Sequence, residues 1–475
     1  MRTGLCGFAA GLVAIVGFGG ALAAPAAASP PARPKLVVVI SIDQFSAALF
    51  DQYRASFTGG MRQLQGGVVY ANGYQSHAAT ETCPGHSTIL TGGHPAATGI
   101  IANNWFDGAT GTSVYCVFDP AGPVPGRDHA PRGPANLKVS TLGEWMKSAD
   151  PRSRVFTVSG KDRAAIMLAG HNPDGVFWWD DEHAFTTSVP AGTTEAARLA
   201  PVADFNAGLV RRFRAVPPAW QPIDRRCATG GSDRFGDLTI NHALPPEGYA
   251  GAWNDPASLK YFRASPVIDE VTLDLARTFV DRFKLGRGVA PDLLGISLSA
   301  TDYVGHRYGP GGPEMCDNLA HLDRALGAFF AHLVAAKLSF VVVLTADHGS
   351  VDAAERVAKR GFPARRIGGD ILFELGRSVQ AELGLDYDPL AGDLQQISIT
   401  GFGEIDPATT ARISAATIRL LRARPDVAAV FTKAEVLAAV PRPGTPVDEL
   451  TLAERFHEST DAERSADIMV AYLPY

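Results

Sequence analysis

Residues 35–43 read KLVVVISID, and residues 339–349 read SFVVVLTADHG. Both are unbroken apolar runs that finish at an acid. A strand with one wet face alternates apolar and polar residues, so a continuous run is what a strand covered on both faces requires, and such strands belong to parallel sheets. RVFTVSGKDR at 154–163 and DLLGISLSATD at 292–302 fit the same description. Helical stripes lie between these runs. Val271, Leu275, Phe279 and Phe283 recur every fourth residue, and Leu319, Leu322, Leu326 and Phe330 keep a similar spacing. The alternation predicts an α/β fold with an open, mostly parallel sheet flanked by helices. From about 177 to 262 the chain turns irregular, rich in Trp, Pro, Gly and charge, and it reads as an inserted cap.

The 475 residues are 46% apolar and 19% charged, with a formal net charge of -6. That balance belongs to a loop-rich globular enzyme. It offers no broad basic surface, so nucleic acid is not an expected partner, and anions must be recognised by a local cluster of cations. Residues 1–28 combine Arg2, an Ala/Gly/Val/Phe run and small residues at Ala26, Ala27 and Ala28. This is the layout of a cleaved secretory signal, which predicts a periplasmic or secreted domain over 29–475 with no membrane attachment after cleavage. Cys83, Cys116, Cys227 and Cys316 remain in that domain. Disulfides are permitted there in any of three pairings, and free buried thiols are the alternative.

The four runs share a chemical ending. In open α/β sheets the carboxyl ends of the strands form the ligand crevice, and here they deliver Asp43, Lys161, Arg163, Asp302, Asp347 and His348. In TDYVGH, Asp302 and His306 are four residues apart, on one face if helical. Each pair alone is ordinary surface chemistry or a helix cap. Carboxylates gathered at one edge repel, however, and a divalent cation is the usual remedy. ATETCPGHSTILTGGHP at 79–95 adds Thr82 two residues before Pro84, which reads as a first helical residue. A hydroxyl beside a helix N-terminus is either a cap or, with a metal to lower its pKa, a nucleophile.

Taken together, Asp43 in SIDQF, Thr82 in TETCPGHSTILTGGHPAATGIIANNW, SATDYVGHRYGP and LTADHGS resemble the alkaline phosphatase superfamily. The likeness is to its exported bacterial alkaline phosphatases with a threonine nucleophile, which are related to nucleotide pyrophosphatase/phosphodiesterases. The resemblance implies two Zn2+ ions. One would be held by Asp43, Asp347, His348 and the Thr82 oxygen, the other by Asp302, His306 and a further histidine. Thr82 would become phosphorylated, and small-molecule phosphate esters would be the substrates of a monomeric enzyme. Asn103, Lys161 and Arg163 match the residues that bind phosphate oxygens in the monoesterase branch, and Gly85 stands where the diesterase branch commonly has Asn. A phosphate monoesterase is therefore expected, with a phosphodiesterase or nucleotide pyrophosphatase, or an inactive remnant, as the alternatives. The family's last zinc histidine lies beyond the strand that ADIMVAYLPY resembles. The C-terminal part of the fold, and the third protein ligand of the second zinc site, are thus expected to be missing.

His86, His94 and His171 flank these motifs and read as supporting residues. Trp178 and Trp179 read as packing or as the wall of a leaving-group pocket. The basic stretch Arg356, Lys359, Arg360, Arg365 and Arg366 reads as a solvated face.

Overall fold

The computed structural model describes residues 33–474 apart from 71–72, 128, 228–229, 247–254 and 402–404, so the expected signal at 1–28 lies outside the described residues. Its centre is a six-stranded sheet. In chain order the strands are β1 Leu36–Ile42, β2 Val155–Ser159, β3 Gly175–Asp180, β4 Ala184–Thr186, β5 Asp292–Leu298 and β6 Phe340–Thr345. They lie in the order β6, β1, β5, β2, β3, β4, all parallel except β4. β1, the strand of the opening motif, pairs with β5 on one side and β6 on the other. Ser41 stands level with Ser297 and with Thr345. That register brings Asp43 and Asp347 out side by side at the carboxyl edge.

Five helices matter for the site: α1 Thr82–Thr91, α2 Asp162–Ala169, α3 Val267–Arg282, α4 Ala300–Tyr308 and α5 Pro313–Ala335. The expected stripes face the sheet, where Val271, Leu275, Phe279, Leu322 and Leu326 join Leu294, Ile296 and Phe156 in one buried cluster. Burying each such side chain contributes roughly 1.5–3 kcal/mol, so the helices are held by this face rather than by intrinsic propensity.

Three expectations need correction. β1, β2 and β5 are buried almost throughout, but β6 is an edge strand on which Val341 is 40% and Val343 49% exposed. Among the described residues no further strand pairs with its outer side, and the face that carries Val341 and Val343 stays wet despite the apolar sequence. The irregular segment was expected to begin at 177, yet Phe177 and Trp178 belong to β3, paired with Val158 and Ser159. The chain leaves the sheet only after Thr186. The described residues of 195–263 then hold the helices Glu195–Leu199, Ala203–Ala215 and Pro256–Arg263 and a small hairpin, Ser232–Phe235 with Leu238–Asn241. Arg356 is not on a solvated face. It is buried and donates to Asp233 at 2.9 Å, Asp352 at 2.6 Å and the Tyr308 carbonyl at 3.1 Å, tying the hairpin to the end of α4.

The inserted segment is pinned to α5. Trp220 is fully buried and its indole N–H donates to Asp317 at 2.7 Å, while Cys227 is disulfide-bonded to Cys316. C-terminal to β6, strands β7 Leu390–Gly392, β8 Gln396–Ile399, β9 Val427–Thr432 and β10 Ile468–Tyr472 form an antiparallel sheet in the order β7, β8, β10, β9. Leu375, Val379, Ile413 and Leu421 from two helices cover it. No helix among the described residues is long and apolar enough to cross a membrane.

Trp220→Ala removes a buried indole and takes one donor from Asp317 Oδ2, while Asp317 Oδ1 keeps the Ile223 and Asp224 N–H groups. It should cost about 3–5 kcal/mol, read as a fall in the thermal unfolding midpoint, and an unchanged midpoint would show that the insertion is not held through this contact.

Candidate active site

The cluster is assembled by the carboxyl ends of three neighbouring strands. Asp43 follows β1, Asp347 and His348 follow β6, and α4, starting just after β5, carries Asp302 in its first turn. Asp43 and Asp347 are fully buried and Asp302 nearly so. Three like charges in a low-dielectric pocket are costly unless paired, and the pairing is visible. The Lys161 ammonium lies 2.6 Å from Asp43 Oδ2 and 2.5 Å from Asp302 Oδ2. His348 Nε2 lies 3.3 Å from Asp43 Oδ1 and 3.6 Å from Asp347 Oδ2. His86 Nδ1, also fully buried, lies 3.0 Å from Asp347 Oδ2 and 2.9 Å from the Thr82 carbonyl.

These contacts set the protonation states. Burial alone would pull His348 down, but its contact with Asp43 and the charges of Asp347 and Asp43 push it up to about 9. Burial pushes the Asp347 carboxyl up, yet His86, His348 and Lys161 hold it well below the usual carboxylate range. For Asp302, burial and the Asp43 charge raise the carboxyl, and His306 and Lys161 outweigh them, so it too stays ionised. Burial opposes the charge on Lys161, and Asp43 and Asp302 more than restore it, leaving the ammonium firmly protonated.

Asp43, Asp347 and His348 each place one ligand atom so that all lie within 4.8 Å of one another. Both Asp43 oxygens and Asp347 Oδ2 are buried without an aligned hydrogen bond. Two buried carboxylates that keep three oxygens free of aligned hydrogen bonds, together with an imidazole, are a donor set that fits a zinc-sized divalent cation. Asp302 and His306 form a second pair, with His306 Nε2 3.2 Å from Asp302 Oδ1 and its ring largely exposed.

Thr82 is buried at the first turn of α1, and the helix begins there rather than at Pro84. Its hydroxyl is not spent as a cap. The hydroxyl oxygen lies 3.5 Å from the Lys161 ammonium and 3.5 Å from an Arg163 terminal nitrogen. Asn103 accepts the Cys83 N–H at 2.9 Å, and its own N–H donates to Glu81. Every residue that the sequence offered as a metal ligand, a nucleophile or a phosphate-binding group is therefore brought to one edge.

Several neighbours were not legible beforehand. Cys83 is bonded to Cys116, which fixes the segment beside Thr82 to a hairpin. The next residue back, Tyr115, donates its hydroxyl to Asp162 at 2.7 Å, and Arg132 donates to the other Asp162 oxygen at 2.7 Å. This network orients Arg163. Asp269, buried on α3, accepts the N–H groups of Ser299 at 2.7 Å and Ala300 at 3.0 Å and so caps α4. Burial pushes its carboxyl up to about 7 in spite of those two bonds. A cavity of about 260 Å³ opens beside Lys161 and Arg163, walled by Trp178, Trp179, Tyr303 and Arg263. His171 instead sits away from the cluster, against Glu144 and the Leu137 carbonyl.

With this geometry in place, comparison with known proteins is decisive. The profile of the type I phosphodiesterase / nucleotide pyrophosphatase family matches residues 37–470. The chain belongs to that family. It thereby sits in the alkaline phosphatase superfamily. It is 38% identical over 460 residues to alkaline phosphatase PhoK of a Sphingomonas species, covering 94% of this chain and 78% of the relative. It is 40% identical to alkaline phosphatase PhoD of Zymomonas mobilis, covering 94% and 76%. The crystal structure of wild-type alkaline phosphatase PafA superposes with a TM-score of 0.80 at 27% identity, covering 94% of this chain and 86% of that one.

Within this family member, α1 approaches the Asp347 loop so closely that a methyl group at Gly85 would overlap the Asp347 carbonyl. Gly85→Ala should destabilise by about 1–3 kcal/mol in thermal unfolding. Gly108→Ala, where the added carbon meets nothing, serves as the neutral control, and equal effects from both would refute the close packing.

Proposed function

We propose that the protein is a zinc-dependent phosphate monoester hydrolase, an alkaline phosphatase that works through a phosphothreonine at Thr82. The observation that carries this reading is the convergence of Lys161 and Arg163 on the Thr82 hydroxyl, 3.5 Å away in each case, beside the Asp43/Asp347/His348 cage. Two fixed cations suit a dianionic monoester better than a singly charged diester. The naming of PhoK and PhoD as alkaline phosphatases supports the same substrate class.

One zinc would be held by Asp43, Asp347, His348 and the Thr82 oxygen, and a second by Asp302 and His306. Such ions lower the pKa of an attacking hydroxyl and neutralise charge on a leaving oxygen. The chain's own residues do the rest. Thr82 Oγ, losing its proton, bonds to phosphorus as the ester oxygen departs with the P–O electron pair and picks up a proton. Water then displaces Thr82 and releases inorganic phosphate. Lys161 fills the gap between Asp43 and Asp302, and with those carboxylates neutralised by bound cations its ammonium would be free to bind a phosphoryl oxygen. Arg163, held by the Asp162 and Tyr115 network, and Asn103 take the others, while the cavity beside them admits small leaving groups. The leader at 1–28 and the disulfides Cys83–Cys116 and Cys227–Cys316 support export to the periplasm or beyond.

An aryl phosphate should be hydrolysed, hydrolysis should stop with a chelator and return with zinc, and Thr82→Ala should abolish it. Retained turnover in Thr82→Ala would refute the phosphothreonine. Lys161→Ala or Arg163→Ala should lower kcat/KM for the monoester by about 100-fold or more and for an aryl diester by much less. If the ratio of monoester to diester turnover does not move, these cations do not choose the substrate.

A further inference from the structure

Gln44 follows Asp43 at the end of β1 and is only 6% exposed. Its φ is +65°, the left-handed region that glycine occupies freely and a side-chain-bearing residue only at a cost. Strain of this kind persists where surrounding contacts overdetermine it, and it concentrates at working sites. The contacts of Gln44 reach both halves of the cluster. Its backbone N–H donates to Asp347 Oδ1 at 3.0 Å. Its side-chain Nε2 donates to Asp302 Oδ1 at 2.9 Å and lies 3.5 Å from His306 Nε2. Its Oε1 rests against Gly305, where an added methyl group would overlap it. The two oxygens of Asp302 are thereby divided, Oδ1 facing Gln44 and His306 and Oδ2 facing Lys161.

We propose that Gln44 is a positioning residue that holds the Asp302/His306 pair in register with the Asp43/Asp347/His348 cage. Its carboxamide sets the approach of Asp302 Oδ1 and His306 Nε2, and its backbone N–H fixes Asp347. The left-handed turn is what lets one residue reach both. A glycine would make that turn without strain, but it would leave the Asp302 arm unsupported. The inference rests on the two-cation reading given above.

The test compares the full chain with Gln44→Gly and Gln44→Asn. Glycine accepts the backbone and keeps the Asp347 contact while losing the carboxamide, and asparagine tolerates the left-handed region but is one methylene short. Each protein is stripped with a chelator and titrated with Co2+, following the absorbance bands of each bound ion, metal content and thermal unfolding. The wild type should bind two ions. Both variants should keep the first ion at wild-type affinity and bind the second 10- to 100-fold more weakly, with an unfolding midpoint for Gln44→Gly no lower than that of the wild type. A wild type that binds two ions and a Gln44→Gly variant that binds both equally well would overturn the positioning role alone. Parallel weakening of both ions together with a lowered midpoint would also overturn it, since the residue would then be merely structural. A wild type that never takes a second ion would overturn the two-cation reading and this inference with it.

Discussion

The confinement of three carboxylates, Asp43, Asp302 and Asp347, to one buried edge is the constraint on which the rest of the structure turns. Parallel pairing of β1 with β5 and β6 leaves these acids no other place to go, because the register fixes where each strand ends. Like charges so close in a dry pocket would push one another towards protonation. The chain answers with the Lys161 ammonium from the end of β2 and with two imidazoles, His348 beside Asp347 itself and His86 from α1. The result is a site in which Asp302, Asp347 and Lys161 stay ionised although buried, a condition for gathering a divalent ion and an anionic substrate together.

The nucleophile segment obeys the same constraint from the other side. Thr82 is useful only if α1 comes close to the carboxylate edge, and that approach is allowed by the bare backbone of Gly85 against Asp347. The approach is then fixed by the Cys83–Cys116 bond and by Asn103 holding the Cys83 N–H. Tyr115, at the end of the adjoining hairpin Asn104–Asp107 with Thr112–Tyr115, holds Asp162 beside Arg163 at the start of α2, so the disulfide and this bond link the arms that carry the hydroxyl and the guanidinium. The inserted segment is pinned by Trp220 and Cys227 to α5, the helix that follows α4.

Much of the site was legible because Asp43, Lys161, Arg163, Asp302, Asp347 and His348 follow strands, and a strand buried on both faces announces itself as an unbroken apolar run. The same rule misled at β6. Its apolar sequence matches β1, but among the described residues nothing covers the face that shows Val341 and Val343. The boundary at 177 failed for the opposite reason, since Trp178 and Trp179 look irregular in a sequence and are ordinary strand residues when a sheet buries them. Arg356 was misread because its partners Asp233 and the Tyr308 carbonyl come from distant segments, and a charge paired at long range looks no different in sequence from a solvated one.

The sequence by itself determined the α/β class, the order of the strands' acidic endings and the identity of the groups that meet, because hydrophobic periodicity and residue chemistry are local properties. Only the tertiary structure decided which cysteines pair, which oxygen of Asp302 faces which neighbour, that Lys161 lies between two carboxylates, and that Gln44 must turn left-handed to join both halves. Those are distances between residues far apart in the chain, set by packing and strand register, and no local pattern of side chains encodes them.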